Sequence, residues 1–276
     1  MEILLAKSAG FCFGVKRATQ MAFDAASQYP SLQSLGPLIH SPQMVRKLED
    51  HGIRVCHQVV DADGDALIVR SHGVTAAEMK ELLASGKAVV DATCPFVTRA
   101  QKHAAELSRD AGLLVIVGEA HHPEVKGILS YATGDVRVVA TVEQAQALPR
   151  CPKLGIIAQT TQSLENFRAI VGVCLEKTRD LKIYNTICDA TTVRQEEATA
   201  IARQVQLMLV VGGFNSANTS RLAELCREQG TTTYHLETAA EIDPAWFVGI
   251  ERVGLTAGAS TPQFLIEEII AHLQTF

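Results

Sequence analysis

The chain of 276 residues contains no long apolar run. Its most continuous stretches, such as LLVIV and LMLVV, fall far short of the roughly 18–20 apolar residues a membrane-spanning helix needs, so no membrane partner is expected. The amino-terminal MEILLAKSAGFCFG has Glu2, not a basic segment, ahead of its short apolar run and does not read as an export signal. Basic residues are not in excess either: 25 Lys and Arg against 30 Asp and Glu leave a net charge of −5, which argues against a nucleic-acid partner. No Pro/Gly/Ser-rich linker or low-complexity tract divides the chain, and no CxxC pair occurs. That excludes the local cysteine spacings of zinc fingers and bacterial ferredoxins.

What is present is an ordinary globular composition, 47% apolar and 20% charged, at a length that allows one large domain or two to three small ones. Seven cysteines, an odd number without an export signal, point to a reducing compartment and to thiols that are core residues or ligands. A cytoplasmic protein is expected. Strand-like runs alternate with helix-like ones: EILLA, ALIVR, AVVDAT, LLVIV, KLGIIA, KIYNTI, LMLVV and RVGLTA are each followed by an amphipathic segment. This predicts an α/β fold with mainly parallel sheets.

The order of motifs recurs three times. Cys12, Cys94 and Cys188 stand roughly 80–95 residues apart, each between a β-like run and a helix-like segment, in CFGVKRA, CPFVTRA and CDATTVRQEEA. A glycine-containing polar turn follows in each copy: LGPLIHSP (35–42), VGEAHHPEV (117–125) and VGGFNSANTSRL (211–222). A second small, polar turn comes after another strand: VRSHGV (69–74), AQTTQS (158–163) and TAGASTP (256–262). Three α/β units are therefore expected, 12–93, 94–187 and 188–276. The third lacks a last strand, which the amino-terminal segment 1–11 is expected to supply, closing a pseudo-threefold ring around a central cavity. In parallel α/β sheets ligands gather at the carboxyl ends of strands, and all these turns hold that position.

Three thiolates from three repeats would bind a metal or cluster with one position open, and a soft iron–sulfur cluster suits them better than zinc. Cys56, Cys151, Cys174 and Cys226 lack the repeated context and read as small core residues. The turns add His40, His72 and His122, with Ser216, Asn218 and Ser260 from the third copy. With helix-terminal N–H groups they form a donor-rich, charge-poor cradle for an anion such as a diphosphate. His51, His57, His103, His235 and His272 carry no such context and read as ordinary side chains. Glu124, just inside a helix start after Pro123, would be favoured there by the helix dipole alone. Facing a bound substrate, it is the candidate proton donor, with Thr160 as relay or hydroxyl anchor.

GFCFGV, RSHGV, DATCPFVT, HHPEV, QTT, the cysteine before ATTVRQ, NSANTSRL and TAGAS, in this order across essentially the whole chain, resemble the LytB/IspH family of 4-hydroxy-3-methylbut-2-enyl diphosphate reductases of the non-mevalonate isoprenoid pathway. The resemblance implies a [4Fe–4S] cluster on Cys12, Cys94 and Cys188 whose open iron meets the substrate hydroxyl. It places the diphosphate among His40, His72, His122, Ser216, Asn218 and Ser260, and makes Glu124 the proton donor with Thr160 near the hydroxyl. Two electrons, from a ferredoxin or flavodoxin, and two protons would convert the allylic alcohol into isopentenyl and dimethylallyl diphosphates. Ala217 stands where relatives often carry a second serine, which implies weaker binding rather than a different reaction. His121 stands beside His122, and the HPEV register favours His122. A cluster-based dehydratase and a non-catalytic iron–sulfur sensor are the alternatives.

Overall fold

The computed structural model describes residues 1–276. In chain order its elements are β1 (Glu2–Leu5), α1 (Phe13–Gln28), β2 (Leu32–Leu35), α2 (Pro42–Asp50), β3 (Arg54–Cys56), β4 (Ala66–Val69), α3 (Ala76–Ala84) and β5 (Ala88–Asp91). They continue with α4 (Pro95–Asp110), β6 (Leu113–Val117), α5 (Pro123–Ser130), β7 (Val136–Val139), α6 (Val142–Gln146), β8 (Cys151–Ala158), α7 (Leu164–Leu175) and β9 (Thr178–Ile183). The last are α8 (Asp189–Ala202), β10 (Leu207–Val211), α9 (Ala217–Glu228), β11 (Thr232–Leu236), β12 (Arg252–Ala257) and α10 (Gln263–Leu273).

The strands form three four-stranded sheets, β3-β2-β4-β5, β7-β6-β8-β9 and β11-β10-β12-β1. Every pairing is parallel, so the fold is α/β as the strand–helix alternation leads one to expect. The third sheet takes a strand from the opposite end of the chain. Glu2 to Leu5 pair with Arg252 to Leu255, and β1 holds beside β12 the place that β5 holds beside β4 and β9 beside β8. The chain folds as two compact units. One comprises residues 1–16, 39–47 and 189–276 and contains the sheet with β1; the other comprises 17–38 and 48–188 and contains the remaining two sheets.

The apolar runs become central strands because helices cover both sheet faces, and side chains alternate between those faces. On β10, Leu207, Leu209 and Val211 pack with Ile266, Ile269 and Leu273 of α10. Met208 and Val210 point the other way, against Ala198 and Ile201 of α8 and Leu222, Ala223 and Cys226 of α9. On β6, Leu113, Val115 and Val117 meet Phe167, Ile170 and Cys174 of α7, while Leu114 and Ile116 meet Ala100, Ala104 and Leu107 of α4 and Val125 and Ile128 of α5. Cys56, Cys174 and Cys226 are buried and Cys151 is half-buried.

Two details depart from the sequence pattern. The run KIYNTI gives only Lys182 and Ile183 to a strand, since β9 begins at Thr178; Tyr184 donates once more to the Ile156 carbonyl at 3.0 Å before the chain leaves the sheet. Edge strands β3, β7 and β11 are present in runs that show no clear strand signal. No helix is long and apolar enough to cross a membrane.

Gly254, in the middle of β12, marks a close helix–sheet approach. An added Cβ would overlap Met208 Sδ and lie 2.7 Å from Ile201 Cγ2, and Met208 is fully buried. Gly254→Ala is expected to cost about 1–3 kcal/mol through overpacking, read as a lower urea midpoint at unchanged m-value. An unaltered midpoint would contradict this packing.

Candidate active site

Each of the three cysteines is fixed by the same backbone contact. The N–H of Cys12 donates to the Ala259 carbonyl at 3.0 Å, that of Cys94 to Ser71 at 2.9 Å and that of Cys188 to Thr160 at 3.0 Å. The acceptor in each case lies two residues beyond β12, β4 or β8, and a helix starts directly after the cysteine. The glycine turns are equally matched. Gly36, Gly118 and Gly212 donate to the last carbonyl of the neighbouring edge strand, Cys56, Val139 and Leu236, at 2.7, 2.9 and 2.9 Å. At Gly118 an added Cβ would lie 2.8 Å from Gln159 Oε1, and at Gly212 it would lie 2.6 Å from Thr261 Oγ1. The two polar turns of each sheet therefore close on one another at the strands' carboxyl ends.

In the unit of residues 17–38 and 48–188 these contacts connect two cysteines through predicted site residues. His122 is the N-cap of α5, and its Nδ1 accepts the Glu124 N–H at 3.1 Å, which leaves the ring's proton on Nε2. The His72 and His122 rings meet edge-on, with centroids 5.7 Å apart. His72 follows Ser71, whose carbonyl holds Cys94. Glu124 is 2% exposed. Its Oε1 accepts the Thr160 N–H at 2.6 Å and its Oε2 the Thr160 hydroxyl at 2.8 Å, and the Thr160 carbonyl holds Cys188. His121 is exposed while His122 is buried.

Burial pushes the Glu124 carboxyl above the usual carboxylate range, and the two donors from Thr160 only partly offset this. When Glu124 is protonated, the N–H at Oε1 cannot accept, so the acid's proton sits on Oε2. There the contact reverses: the acid donates to Thr160 Oγ1, and the hydroxyl's own hydrogen becomes free for a further acceptor. Such a pair has the chemistry to release a proton through the Thr160 hydroxyl.

In the unit of residues 1–16, 39–47 and 189–276, the Ser260 hydroxyl donates to the His40 carbonyl at 3.0 Å, one residue beyond the carbonyl that holds Cys12. Ser216 caps α9, accepting the Thr219 N–H. Asn218, the second residue of α9, is 4% exposed, yet neither its Nδ2 nor its Oδ1 has a hydrogen-bond partner. A buried primary amide left unsatisfied is costly, and a ligand that brings its own polar atoms would satisfy it.

No disulfide joins the cysteines, and Cys12, Cys94 and Cys188 are all half-buried. No group of His, Cys, Asp and Glu forms a ready single-ion site; each of the three thiols stands at a strand–helix junction, and thiols are the soft donors that suit an iron–sulfur group. Four of the five histidines set aside from sequence have neighbours of their own: His51 meets Phe23, His103 stacks on Tyr184, His272 meets Phe276, and His235 Nε2 lies 2.8 Å from the Gly212 carbonyl. Sequence reasoning missed Gln159, whose Oε1 accepts the Glu119 N–H at 3.0 Å and so fixes the turn before His122. Its place beside Thr160 in AQTTQS was the available signal.

A family model described as LytB protein matches residues 3–274. The chain is 56% identical over 276 residues to the 4-hydroxy-3-methylbut-2-enyl diphosphate reductase of Geobacter sulfurreducens, covering 100% of this chain and 98% of the relative. It is also 56% identical over 274 residues to the protein of that name in Syntrophotalea carbinolica, covering 99% and 98%. Among solved structures it is similar to an (E)-4-hydroxy-3-methyl-but-2-enyl diphosphate reductase described as the terminal enzyme of the non-mevalonate pathway, with TM-score 0.71, 40% identity and 100% coverage of both chains. It is similar too to the reductase from Plasmodium falciparum, with TM-score 0.92, 25% identity and coverage of 99% and 88%.

Thr160→Val removes the hydroxyl that favours ionised Glu124. The variant should move the Glu124 titration further upward, observed by carbon NMR of protein labelled at glutamate carboxyls. A downward or absent shift would contradict the geometry.

Proposed function

The chain belongs to the LytB protein family, and on that premise we propose that it reduces (E)-4-hydroxy-3-methylbut-2-enyl diphosphate to isopentenyl and dimethylallyl diphosphates, the last step of the non-mevalonate route to isoprenoids. The balance is one C–O bond broken and one C–H bond formed. Two electrons and two protons are consumed, and the hydroxyl leaves as water. The observation that carries this reading is the buried Glu124–Thr160 pair, tied through the Thr160 carbonyl to the backbone of Cys188, in a chain alike to reductases along its whole length.

In this reading Cys12, Cys94 and Cys188 hold one [4Fe–4S] cluster with an open iron, and the chain divides functionally into the repeats 12–93, 94–187 and 188–276 with 1–11. Such a cluster, when bound, would supply electrons and a Lewis-acidic iron for the substrate oxygen. The protein's own part is to bind, to exclude water and to deliver a proton. A hydroxyl is a poor leaving group until it is protonated, and an acid kept neutral by burial is suited to protonate it. Glu124 holds that proton on Oε2 and Thr160 passes its own hydroxyl hydrogen on.

His40, His72, His122, Ser216, Asn218 and Ser260 bind the diphosphate. The open amide of Asn218 and the Nε2–H of His122 give donors without fixed charge, and the N-terminus of α9 adds oriented N–H groups. Ala217, at the first position of α9, offers its backbone N–H but no hydroxyl. A ferredoxin or flavodoxin supplies the electrons, and the protein works in the cytoplasm.

Glu124→Gln keeps the shape and removes the proton. It is expected to fold, take up iron and sulfide as the parent does, and lose at least about a hundredfold in turnover, measured anaerobically as isoprenoid diphosphates formed per enzyme per unit time, with the electrons consumed counted alongside. Near-parental turnover would remove Glu124 from the mechanism. Conversion of the alcohol without electron consumption would replace the reductase reading with a dehydratase.

A further inference from the structure

We infer that Arg194 and Glu197, on one face of α8, are positioning residues that clamp the backbone of residues 7–10 and thereby set where the Cys12 thiol is held. The inference rests on Cys12 being a cluster ligand. Arg194 is 3% exposed. Its Nη2 donates to the carbonyls of Ser8 at 2.5 Å and Gly10 at 2.7 Å. One turn along the same helix, Glu197 Oε1 accepts the Lys7 N–H at 2.7 Å, and Oε2 accepts the Ser8 N–H at 2.8 Å and the Ser8 hydroxyl at 2.5 Å. The cation takes the loop's carbonyls and the anion takes its amides, so the segment is held in both polarities.

Its far end is just as fixed. Gly10 adopts φ +95°, where an added Cβ would lie 3.2 Å from Ile266 Cδ1, and two residues later the Cys12 N–H bonds Ala259. Burying a guanidinium is costly, and a well-packed apolar side chain would usually serve stability as well. What an apolar side chain cannot do is fix two carbonyls at once, which the two hydrogens of Nη2, held in the guanidinium plane, do. The charge is there for geometry.

A second instance supports this reading. Arg17, on the helix that follows Cys12, donates Nη1 to the carbonyl of Thr93 at 3.1 Å, the residue ahead of Cys94. The arginines of CFGVKRA and CDATTVRQ thus share one use: a helix that follows one cysteine braces the segment entering another. The arginine of CPFVTRA does not. Arg99 is exposed and lies over Phe96. In its stead α4 holds Tyr184, ahead of Cys188, by the His103 stack at 3.8 Å and a Glu106 hydrogen bond at 2.8 Å.

The test is iron release from anaerobically prepared holoprotein challenged with excess EDTA, followed by loss of visible absorbance, for Arg194→Lys, Glu197→Gln and Cys12→Ser, each with its melting temperature. Arg194→Lys keeps the charge but puts its donors on a shorter, flexible stem without the fixed plane, and Glu197→Gln, the smaller change, carries the test if the first variant does not fold. Both are expected to release iron about tenfold or more faster than the parent, with an altered electron paramagnetic resonance spectrum of the reduced protein. Parental release rates and spectra, with or without a lower melting temperature, would overturn the clamp while Cys12→Ser fails to retain iron. If Cys12→Ser retains iron like the parent, the ligand assignment of Cys12 falls, and the clamp falls with it.

Discussion

A hydrogen bond between the backbone of each cysteine and the carbonyl two residues past a strand end organises everything around it. In a parallel sheet the strand's last carbonyls have no further ladder to join, and the turn that follows must bring its polar groups to partners. Here the cysteine N–H is such a partner, at 3.0, 2.9 and 3.0 Å in three sheets of the same topology. The contact sets the thiol at the junction where the sheet ends and a helix begins. It also places the polar turn at 71, 160 or 259 against it, so that the thiol and the polar turn are positioned by one backbone geometry used three times.

That geometry is held by apolar packing that leaves little freedom. β6 and β10 are covered on both faces, and their side chains are buried throughout. Against such rigid walls, buried polar groups are conspicuous. Glu124 is almost fully buried, which raises its proton affinity against the two donors of Thr160; Asn218 is buried and satisfied by nothing within the chain. A fold selected only for stability would replace both. On the proposed reading that cost is borne for proton delivery at one and for ligand binding at the other.

Much of this was legible in the sequence because repetition is visible there. The strand–helix alternation gave the α/β class, and the matched turns picked out the Glu124, Thr160 and Asn218 positions whose burial the structure describes. Short edge strands were not legible: β3, β7 and β11 span 3 to 5 residues and are partly exposed, so they show neither a long apolar run nor a clean alternation. The KIYNTI run misled in the other direction, since its apolar Ile187 packs in the core beneath α7 without belonging to a ladder. Arg194 and Glu197 were also out of reach. Their partners lie at the opposite end of the chain, and a charged pair on a polar helix reads in sequence as a solvated face.

The central claim is that Cys12, Cys94 and Cys188 are equivalent ligands of one cluster with an open iron that meets the substrate. Mössbauer spectroscopy of iron-enriched, anaerobically prepared protein tests it most directly. The account predicts the signature of a [4Fe–4S] cluster in which one iron is distinguishable from the other three, and it predicts that this iron's signal alone moves when the allylic diphosphate is added. Iron sites that all ignore the diphosphate, or a preparation that binds zinc without sulfide, would contradict it.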